Sequence, residues 1–247
     1  MTKKLKINKT EINNTRCFIV AELSANHNGK LSNLLKMIKS SKEAGADAVK
    51  IQAYEAEGIT INSNKKYFKL NKKSSWKEYD NLFKLYKKAQ TPKSWYKKIF
   101  SYAKKNKITL FASVFDLSTI NFASPEIIDI PLLEKVAKTK KPIIISNGLG
   151  NFKDLNLAVS TIKKFNKNII VLKCTSSYPA AAQSLNLKTM KDITKKFKCH
   201  SGFSDHTRGI DLSVYSAALG ASMLEKHVVL KKNSKTVDSF FSIDFNE

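Results

Sequence analysis

The chain has 247 residues, of which 42% are apolar and 10% aromatic, enough to bury a substantial core, which argues against wholesale disorder. No apolar run approaches the roughly 20 residues that span a bilayer, and the lysine-rich start lacks a signal-peptide core. We therefore expect a cytoplasmic protein with no membrane partner. Cys17, Cys174 and Cys199 include no CxxC pair, which disfavours a disulfide framework or a cysteine-based zinc site.

The net charge of +24 raises the question of nucleic acid, but the 44 basic residues include only two arginines, Arg16 and Arg208. Proteins that read bases and phosphates commonly use the bidentate arginine fork. The lysines are spread along nearly the whole chain, often beside apolar helix positions, so we interpret them as solvated helix faces. We expect no nucleic-acid partner, although a positive field would attract an anionic small substrate.

Short apolar runs rich in Val and Ile alternate with segments of helical periodicity. The runs predict seven buried parallel strands, at residues 18–23, 48–52, 108–114, 142–146, 169–174, 202–204 and 223–229. Phe122–Ser124 is a weak eighth candidate. Alternation of strand and helix indicates an α/β fold with right-handed crossovers.

Polar residues at the predicted strand ends recur at intervals of 28, 63, 11, 22, 29, 29 and 23 residues. One βα unit takes about 25 to 30 residues, so eight units predict a (β/α)8 TIM-type barrel over residues 18–247, after an N-terminal extension at 1–17. A doubly wound open sheet is the alternative, but no glycine-rich GxGxxG turn follows the first strand.

Two of these intervals depart from the repeat. The 63-residue interval predicts an insertion at about Ala53–Lys93, with an extra helix at Trp76–Ala89 over the barrel mouth. The 11-residue interval is too short for a parallel crossover of about a dozen residues, so we expect an incomplete barrel around strand four. The chain ends soon after the eighth strand, so we also expect a C-terminally truncated barrel.

Two histidines and a lysine stand out at the predicted mouth. His206 and His227 lie one βα unit apart near the ends of adjacent strands, where both imidazoles could bind one divalent cation. The alternative is a pair of hydrogen-bonded structural histidines. Lys50 stands between two apolar residues, which favours a phosphate or carboxylate partner over the alternative, a salt bridge to Glu22.

Hydroxyl and carboxyl side chains complete the predicted mouth. Serines at strand ends commonly hold phosphate oxygens, and here they are Ser113, Ser124, Ser146, Ser176 and Ser204. Glu22 and Glu126 are the carboxylates best placed for acid/base work or for sugar hydroxyls, and ion pairing with Lys50 is the alternative. His27 adds a third imidazole at the end of the first strand.

Seven segments together resemble the sialic acid synthase family, and most of all its pseudaminic acid synthase branch. In chain order they read AELSANHNG, AVKIQ, ASPEIIDIPLL, IIISNG, LKCTSSYP, GFSDHT and EKH. The resemblance covers about residues 18–246. It implies an enzyme that condenses phosphoenolpyruvate with an open-chain amino sugar, here 2,4-diacetamido-2,4,6-trideoxy-L-altrose, to form a nonulosonic acid and phosphate.

The same resemblance assigns roles to individual residues. It implies a Mn2+ or Mg2+ cofactor on His206 and His227, and catalytic roles for Glu22, Lys50 and Glu126. The phosphoenolpyruvate side aligns with Lys50, Ser113, Ser124, Ser146, Ser176 and Ser204, and the sugar and metal side with Glu22, Gln52, Tyr178 and Asp238.

The sequence also departs from the family pattern. Asn121 replaces a phosphate-binding lysine, about a dozen residues before it are absent, and the chain ends before the antifreeze-like domain through which family members form swapped homodimers. Two alternatives therefore stay open. One is an inactive truncated barrel that retains at most ligand or metal binding, and the other is an N-acetylneuraminate or legionaminate synthase.

Overall fold

A computed structural model describes residues 4–115 and 129–247. Its strands are β1 (Leu5–Ile7), β2 (Thr10–Ile12), β3 (Phe18–Glu22), β4 (Ala48–Ala53), β5 (Thr109–Val114), β6 (Ile143–Ser146), β7 (Ile169–Cys174), β8 (His200–Asp205) and β9 (Met223–His227). Strands β3 to β9 confirm all seven predicted strands, with bounds that agree within two residues.

Helices follow most of the strands. They are α1 (Leu31–Glu43), α2 (Ala56–Ile59), α3 (Leu82–Ala89), α4 (Tyr96–Lys105), α5 (Ile130–Lys138), α6 (Phe152–Lys163), α7 (Thr189–Phe197) and α8 (Asp211–Ala218). None of the helices within the described ranges is long and apolar enough to cross a membrane.

The seven strands form one parallel sheet in the order β5-β4-β3-β9-β8-β7-β6. The first and last of them, β3 and β9, are hydrogen-bonded neighbours, as the wrapping of a barrel requires. The sheet is curled, because the inward side chains of Ala48 on β4, Ile144 on β6 and Ile170 on β7 belong to one buried cluster. The predicted α/β class with parallel strands is confirmed.

Strands β5 and β6 form the two ends of the sheet, and residues 116–128 lie in the chain between β5 and α5. The eighth strand candidate, Phe122–Ser124, falls in that segment and lies outside the described residues. The predicted incompleteness of the barrel around strand four therefore stays a prediction.

The N-terminal extension packs on the barrel. Strands β1 and β2 pair antiparallel, and the buried side chains of Leu5 and Ile12 join the inward cluster with Phe18 and Val20. Arg16 also lies 2.5 Å from the Asp47 carboxylate, which accepts a hydrogen bond from the backbone of Ile19. The hairpin thus closes apolar surface at the end of the barrel where the strands begin.

The predicted insertion carries α2 and α3 between β4 and α4. Its main helix begins at Leu82, six residues later than predicted, because the Asn81 side chain accepts the hydrogen bond from the Lys84 N–H and caps it there. Trp76 lies before this helix, and its indole N–H donates to the Val237 carbonyl at 2.8 Å. The insertion is thereby fixed across the mouth of the barrel.

Candidate active site

A cavity of about 690 Å3 lies at the carboxyl ends of the strands. Every strand of the sheet contributes to its wall, through Glu22, Lys50, Gln52, Ser113, Ser146, Cys174, Ser204, Glu225 and His227. Parallel strands end at the same edge of a sheet, so curling brings these side chains together. The predicted strand-end residues therefore line a single space.

The charged centre of the cavity is a lysine between two carboxylates. Lys50 Nζ lies 2.9 Å from Glu22 Oε2 and 2.6 Å from Glu225 Oε2, and all three side chains are buried. The backbone N–H of Ser24 donates to Glu22 at 2.7 Å, and the hydroxyl of Ser204 donates to Glu225 at 2.9 Å. With both carboxylates ionised, this centre carries a net charge of about −1.

The pKa values of Glu22 and Lys50 are both raised, but for different reasons. Burial raises the pKa of Glu22 to about 7, even though the Lys50 ammonium acts against it. Burial alone would lower the pKa of Lys50, but the carboxylates of Glu22 and Glu225 outweigh that effect and raise it. Lys50 thus stays charged, while Glu22 can exchange a proton near neutrality.

Sequence reasoning missed Glu225 as a site residue. Side chains alternate along a strand, so Glu225 and His227 on β9 face the same side of the sheet. Had the alternation been applied from His227, it would have placed Glu225 in the cavity. The predicted alternative for Lys50, ion pairing with Glu22, is present and extends to this second carboxylate.

The predicted imidazole pair is brought together. The ring centroids of His206 and His227 are 5.3 Å apart, and both side chains are buried. His206 Nδ1 lies 3.0 Å from the carbonyl oxygen of Thr175, which can only accept, so Nδ1 carries the proton and the lone pair is left on Nε2. His227 Nδ1 lies 4.0 Å from an Asp238 oxygen and has no hydrogen-bond partner among the described residues.

Both histidines fit a metal ion. Burial lowers the pKa of His206 and lowers that of His227 well below its usual range, which keeps both rings neutral, the form that binds metals. The negative centre around Lys50 would favour a cation beside them. Within residues 4–115 and 129–247, no three His, Cys, Asp or Glu side chains form a metal-holding group. Two imidazoles would leave coordination positions open, as catalytic metal sites do.

The predicted hydroxyl ring is present as far as the structure describes it. The side chains of Ser113, Ser146, Ser176 and Ser204 all line the cavity. The turn after β6 approaches the ring closely, since Gly148 has a φ of +43° and a Cβ there would lie 3.4 Å from Ser176 Oγ. Ser124, Glu126 and Asn121 lie outside the described residues.

The predicted sugar-side residues other than Glu22 also line the cavity. Gln52, Tyr178 and Asp238 all contribute to its wall. The Ser24 hydroxyl donates to Asp238 at 2.5 Å, and burial raises the pKa of that carboxyl. Ser24 has a φ of +41°, an unusual conformation for a side-chain residue that here directs its N–H and hydroxyl at two site carboxylates.

One expectation about the mouth is wrong. His27 does not line the cavity. It is buried behind it, with Nδ1 accepting from the Gly29 N–H at 3.0 Å and its ring 5.5 Å from that of Trp95. The short 3-10 helix at Ser24–His27 turns the ring away from the strand ends, toward the insertion.

Known proteins share this sequence and this fold. The chain is 41% identical to the pseudaminic acid synthase of Campylobacter jejuni subsp. jejuni serotype O:23/36, over 94% of the chain and 71% of that protein. It is 33% identical to the N,N'-diacetyllegionaminic acid synthase of serotype O:2 of that subspecies, over 94% and 73%.

A solved structure matches over the whole chain. It is the N-acetylneuraminic acid synthetase of Leptospira borgpetersenii serovar Hardjo-bovis in complex with citrate, with a TM-score of 0.85, 29% identity, and coverage of 100% of this chain and 85% of that one. The NeuB family model matches residues 37–247. The predicted family resemblance is thus confirmed, and the chain belongs to the NeuB family.

Proposed function

We propose that this chain is an enzyme that condenses phosphoenolpyruvate with an open-chain acylamino sugar to give a nonulosonic acid and phosphate. The observation that carries the proposal is that one cavity contains a pair of imidazoles and a lysine held between two carboxylates. A cation-binding pair next to an anion-binding lysine suits a reaction between an aldehyde and an anionic phosphate ester. Membership of the NeuB family supports the same conclusion.

His206 and His227 are the residues that would hold the divalent cation, Mn2+ or Mg2+. When bound there, the ion supplies Lewis acidity to the sugar aldehyde. His206 is oriented for this role by its hydrogen bond to Thr175, and His227 by its burial beside Asp238.

The polar residues of the chain would bind and orient phosphoenolpyruvate. Lys50 would offer its charge to the carboxylate or phosphate, and the hydroxyls of Ser113, Ser146, Ser176 and Ser204 would hold oxygens around it. Anion binding would draw Lys50 away from one of its two carboxylates, so Glu22 could then take up a proton. Ser124 and Glu126 stay predictions as part of the same site.

The bonds balance with water as the third reactant. C3 of phosphoenolpyruvate forms a bond to the aldehyde carbon, and the aldehyde oxygen gains a proton. Water then adds to C2, and the bond between C2 and the phosphate oxygen breaks to release inorganic phosphate. Glu22, with its raised pKa, is a group of the chain suited to hold or take a proton in these steps.

The sugar that we propose is 2,4-diacetamido-2,4,6-trideoxy-L-altrose. The higher identity to a pseudaminic acid synthase than to a diacetyllegionaminic acid synthase favours it. A legionaminate or N-acetylneuraminate precursor is the alternative substrate, and an inactive barrel that retains ligand binding is the alternative function. A cytoplasmic location, a homodimer and the lack of a nucleic-acid partner also stay predictions.

Phosphate release tests the proposed function. The chain is incubated with phosphoenolpyruvate, Mn2+ and each of the three candidate sugars, and inorganic phosphate is measured over time. We expect release that needs both metal and sugar, and that is fastest with the trideoxy sugar. No release from a folded, metal-supplied protein with any sugar would leave the inactive barrel as the correct interpretation.

Lys50→Met provides the matched variant, since it keeps the length of the side chain and removes the charge. We expect the rate of phosphate release to fall by about 100-fold or more, because charge stabilisation at the reacting centre is lost. Lys84→Met on the exposed face of α3 is the control and should retain the wild-type rate. Equal rates for Lys50→Met and the wild type would remove Lys50 from the mechanism.

A further inference from the structure

The described wall of the cavity has two parts of opposite character. The strand ends supply most of the charged groups, whereas the insertion supplies mainly aliphatic and aromatic side chains, with hydroxyls from Tyr54, Ser74 and Tyr86 among them. The aliphatic side chains Ile59, Leu70, Leu82 and Leu85, together with Val237, form what we call the apolar wall. Four of its five members come from residues 59–85 of the insertion.

Helix α3 presents this wall to the cavity. Leu85 and Ala89 are buried in a cluster with Tyr54 and Val237, which anchors the helix to the barrel. Leu82 lies one turn before Leu85, is only half-buried and lines the cavity. Lys84, Lys87 and Lys88 occupy the exposed face of the same helix. The apolar face of α3 therefore packs on the barrel through Leu85 and Ala89 and also fronts the cavity through Leu82.

The wall begins within reach of the imidazole pair. The Tyr178 ring lies 4.3 Å from that of His206, and the Trp76 ring lies 5.5 Å from that of Tyr178. Trp76 in turn donates to the carbonyl of Val237, a wall residue. Tyr178, Trp76 and Val237 therefore form a continuous chain of contacts from the imidazole pair to the wall.

Apolar side chains cannot satisfy sugar hydroxyls. A hydroxyl placed against Leu82 or Ile59 would lose its hydrogen bonds to water and gain none, whereas a methyl group would bury apolar surface. Differences of one small apolar group in such a pocket change selectivity by about 10- to 200-fold. The polar strand ends offer no comparable preference.

We propose that the apolar wall binds the terminal C6 methyl of a 6-deoxy acylamino sugar and selects it over a sugar with a C6 hydroxyl. This inference rests on the proposed function and names the part of the site that chooses the sugar. Leu82, Ile59 and Leu70 line the cavity while only half-buried, and the variants test the first two of them.

The experiment compares kcat/KM for the 6-deoxy sugar and its 6-hydroxy counterpart, at saturating phosphoenolpyruvate, for the wild type, Leu82→Asn and Ile59→Asn. We expect the wild type to prefer the deoxy sugar at least 10-fold. Each variant should reduce that preference about 10-fold, through the KM of the sugar, and leave the KM of phosphoenolpyruvate within twofold. Lys88→Asn makes the same kind of change on the exposed face of α3 and should keep the wild-type preference.

Binding measurements separate failure of this inference from failure of the proposed function. If no sugar supports turnover in the wild type, the proposed function is wrong, and calorimetric titration of the two sugars still reports the preference. A wild type without preference for the deoxy sugar would overturn the inference. So would unchanged preferences in both Leu82→Asn and Ile59→Asn, with their folding verified by circular dichroism.

Discussion

Single residues at the mouth were predictable where their type conflicts with their neighbours. Lys50 stands between Val49 and Ile51, and that conflict alone indicated a buried charge with a partner. Its two partners were only half predictable, because Glu22 adjoins a predicted strand end, while Glu225 was hidden next to Lys226 in a charged pair. Adjacent side chains on β9 point to opposite faces of the sheet, so Glu225 contacts Lys50 while Lys226 contacts Asp205.

The sequence suggested that His27 is a third imidazole of the mouth, whereas the structure buries it as part of the fold. Burial lowers the pKa of His27 to about 4, with the backbone of Ala89 acting against that effect. Because the folded pKa lies below the unfolded value of about 6.5, the unfolded chain binds the proton first. The free energy of unfolding should therefore fall as the pH falls from about 6.5 to about 4, and be fully recovered above that range.

His27→Gln isolates this contribution from those of the other buried histidines. Between pH 7 and pH 4.5, the wild type should lose roughly 2 to 3 kcal/mol more stability than the variant. Urea unfolding followed by tryptophan fluorescence at several pH values measures the difference. Parallel pH profiles for the two proteins would show that the His27 ring does not need to stay neutral.

At the scale of elements, β8 was predicted too short because its sequence, HSGFSD, is polar and contains a glycine. The strand forms because its neighbours enclose it, and Gly202 is required where β8 passes β9. A Cβ at Gly202 would lie 2.2 Å from the carbonyl oxygen of Met223. The strand propensity of the residues in β8 cannot predict such a close approach, because it depends on the position of β9.

Gly202→Ala should therefore destabilise the fold. The added methyl would clash with the backbone of β9, which cannot move aside as a flexible side chain could. We therefore expect the free energy of unfolding to fall by about 1 to 3 kcal/mol or more. The midpoint of thermal or urea unfolding measures this loss. Ser160→Ala on the exposed face of α6 is the control and should stay near the wild type, and equal midpoints for all three proteins would contradict the close approach.

The loop after β8 holds His206 through a buried ion pair. Asp205 accepts from the N–H and hydroxyl of Thr207 at 2.8 and 2.7 Å, and lies 3.0 Å from Lys226 Nζ, which donates to the Thr207 carbonyl. Asp205 and Thr207, the two neighbours of His206 in the chain, are thus both fixed to Lys226 on the strand that carries His227. Asp205 and Lys226 act as positioning residues for the imidazole pair.

Asp205→Asn should loosen that arrangement while leaving both proposed ligands, His206 and His227, in place. We expect Mn2+ affinity to fall by about 10- to 100-fold, as for other changes around metal ligands. Calorimetric titration with Mn2+ gives the affinity, and the unfolding midpoint is recorded alongside it. Asp211→Asn at the exposed start of α8 serves as the control. Wild-type affinity in Asp205→Asn would leave the ion pair a purely structural role.

At the scale of the whole molecule, the interval between polar strand ends predicted the curled parallel sheet and the position of the site. That inference succeeded because the βα unit has a nearly fixed length and because parallel strands end together. The docking of β1 and β2 could not be predicted, since three-residue strands carry too little periodicity and only the inward cluster reveals what Leu5 and Ile12 cover. The apolar wall was likewise hidden, because the sequence of α3, LFKLYKKA, is that of an ordinary amphipathic surface helix.

The central claim is that His206 and His227 share one divalent cation beside the Lys50 centre. Mn2+ binding followed by electron paramagnetic resonance tests it without any need for turnover. We expect one bound Mn2+ per wild-type chain, and loss of that binding in both His206→Gln and His227→Gln. Retention of one tightly bound Mn2+ in the double variant, with its fold intact, would contradict the claim.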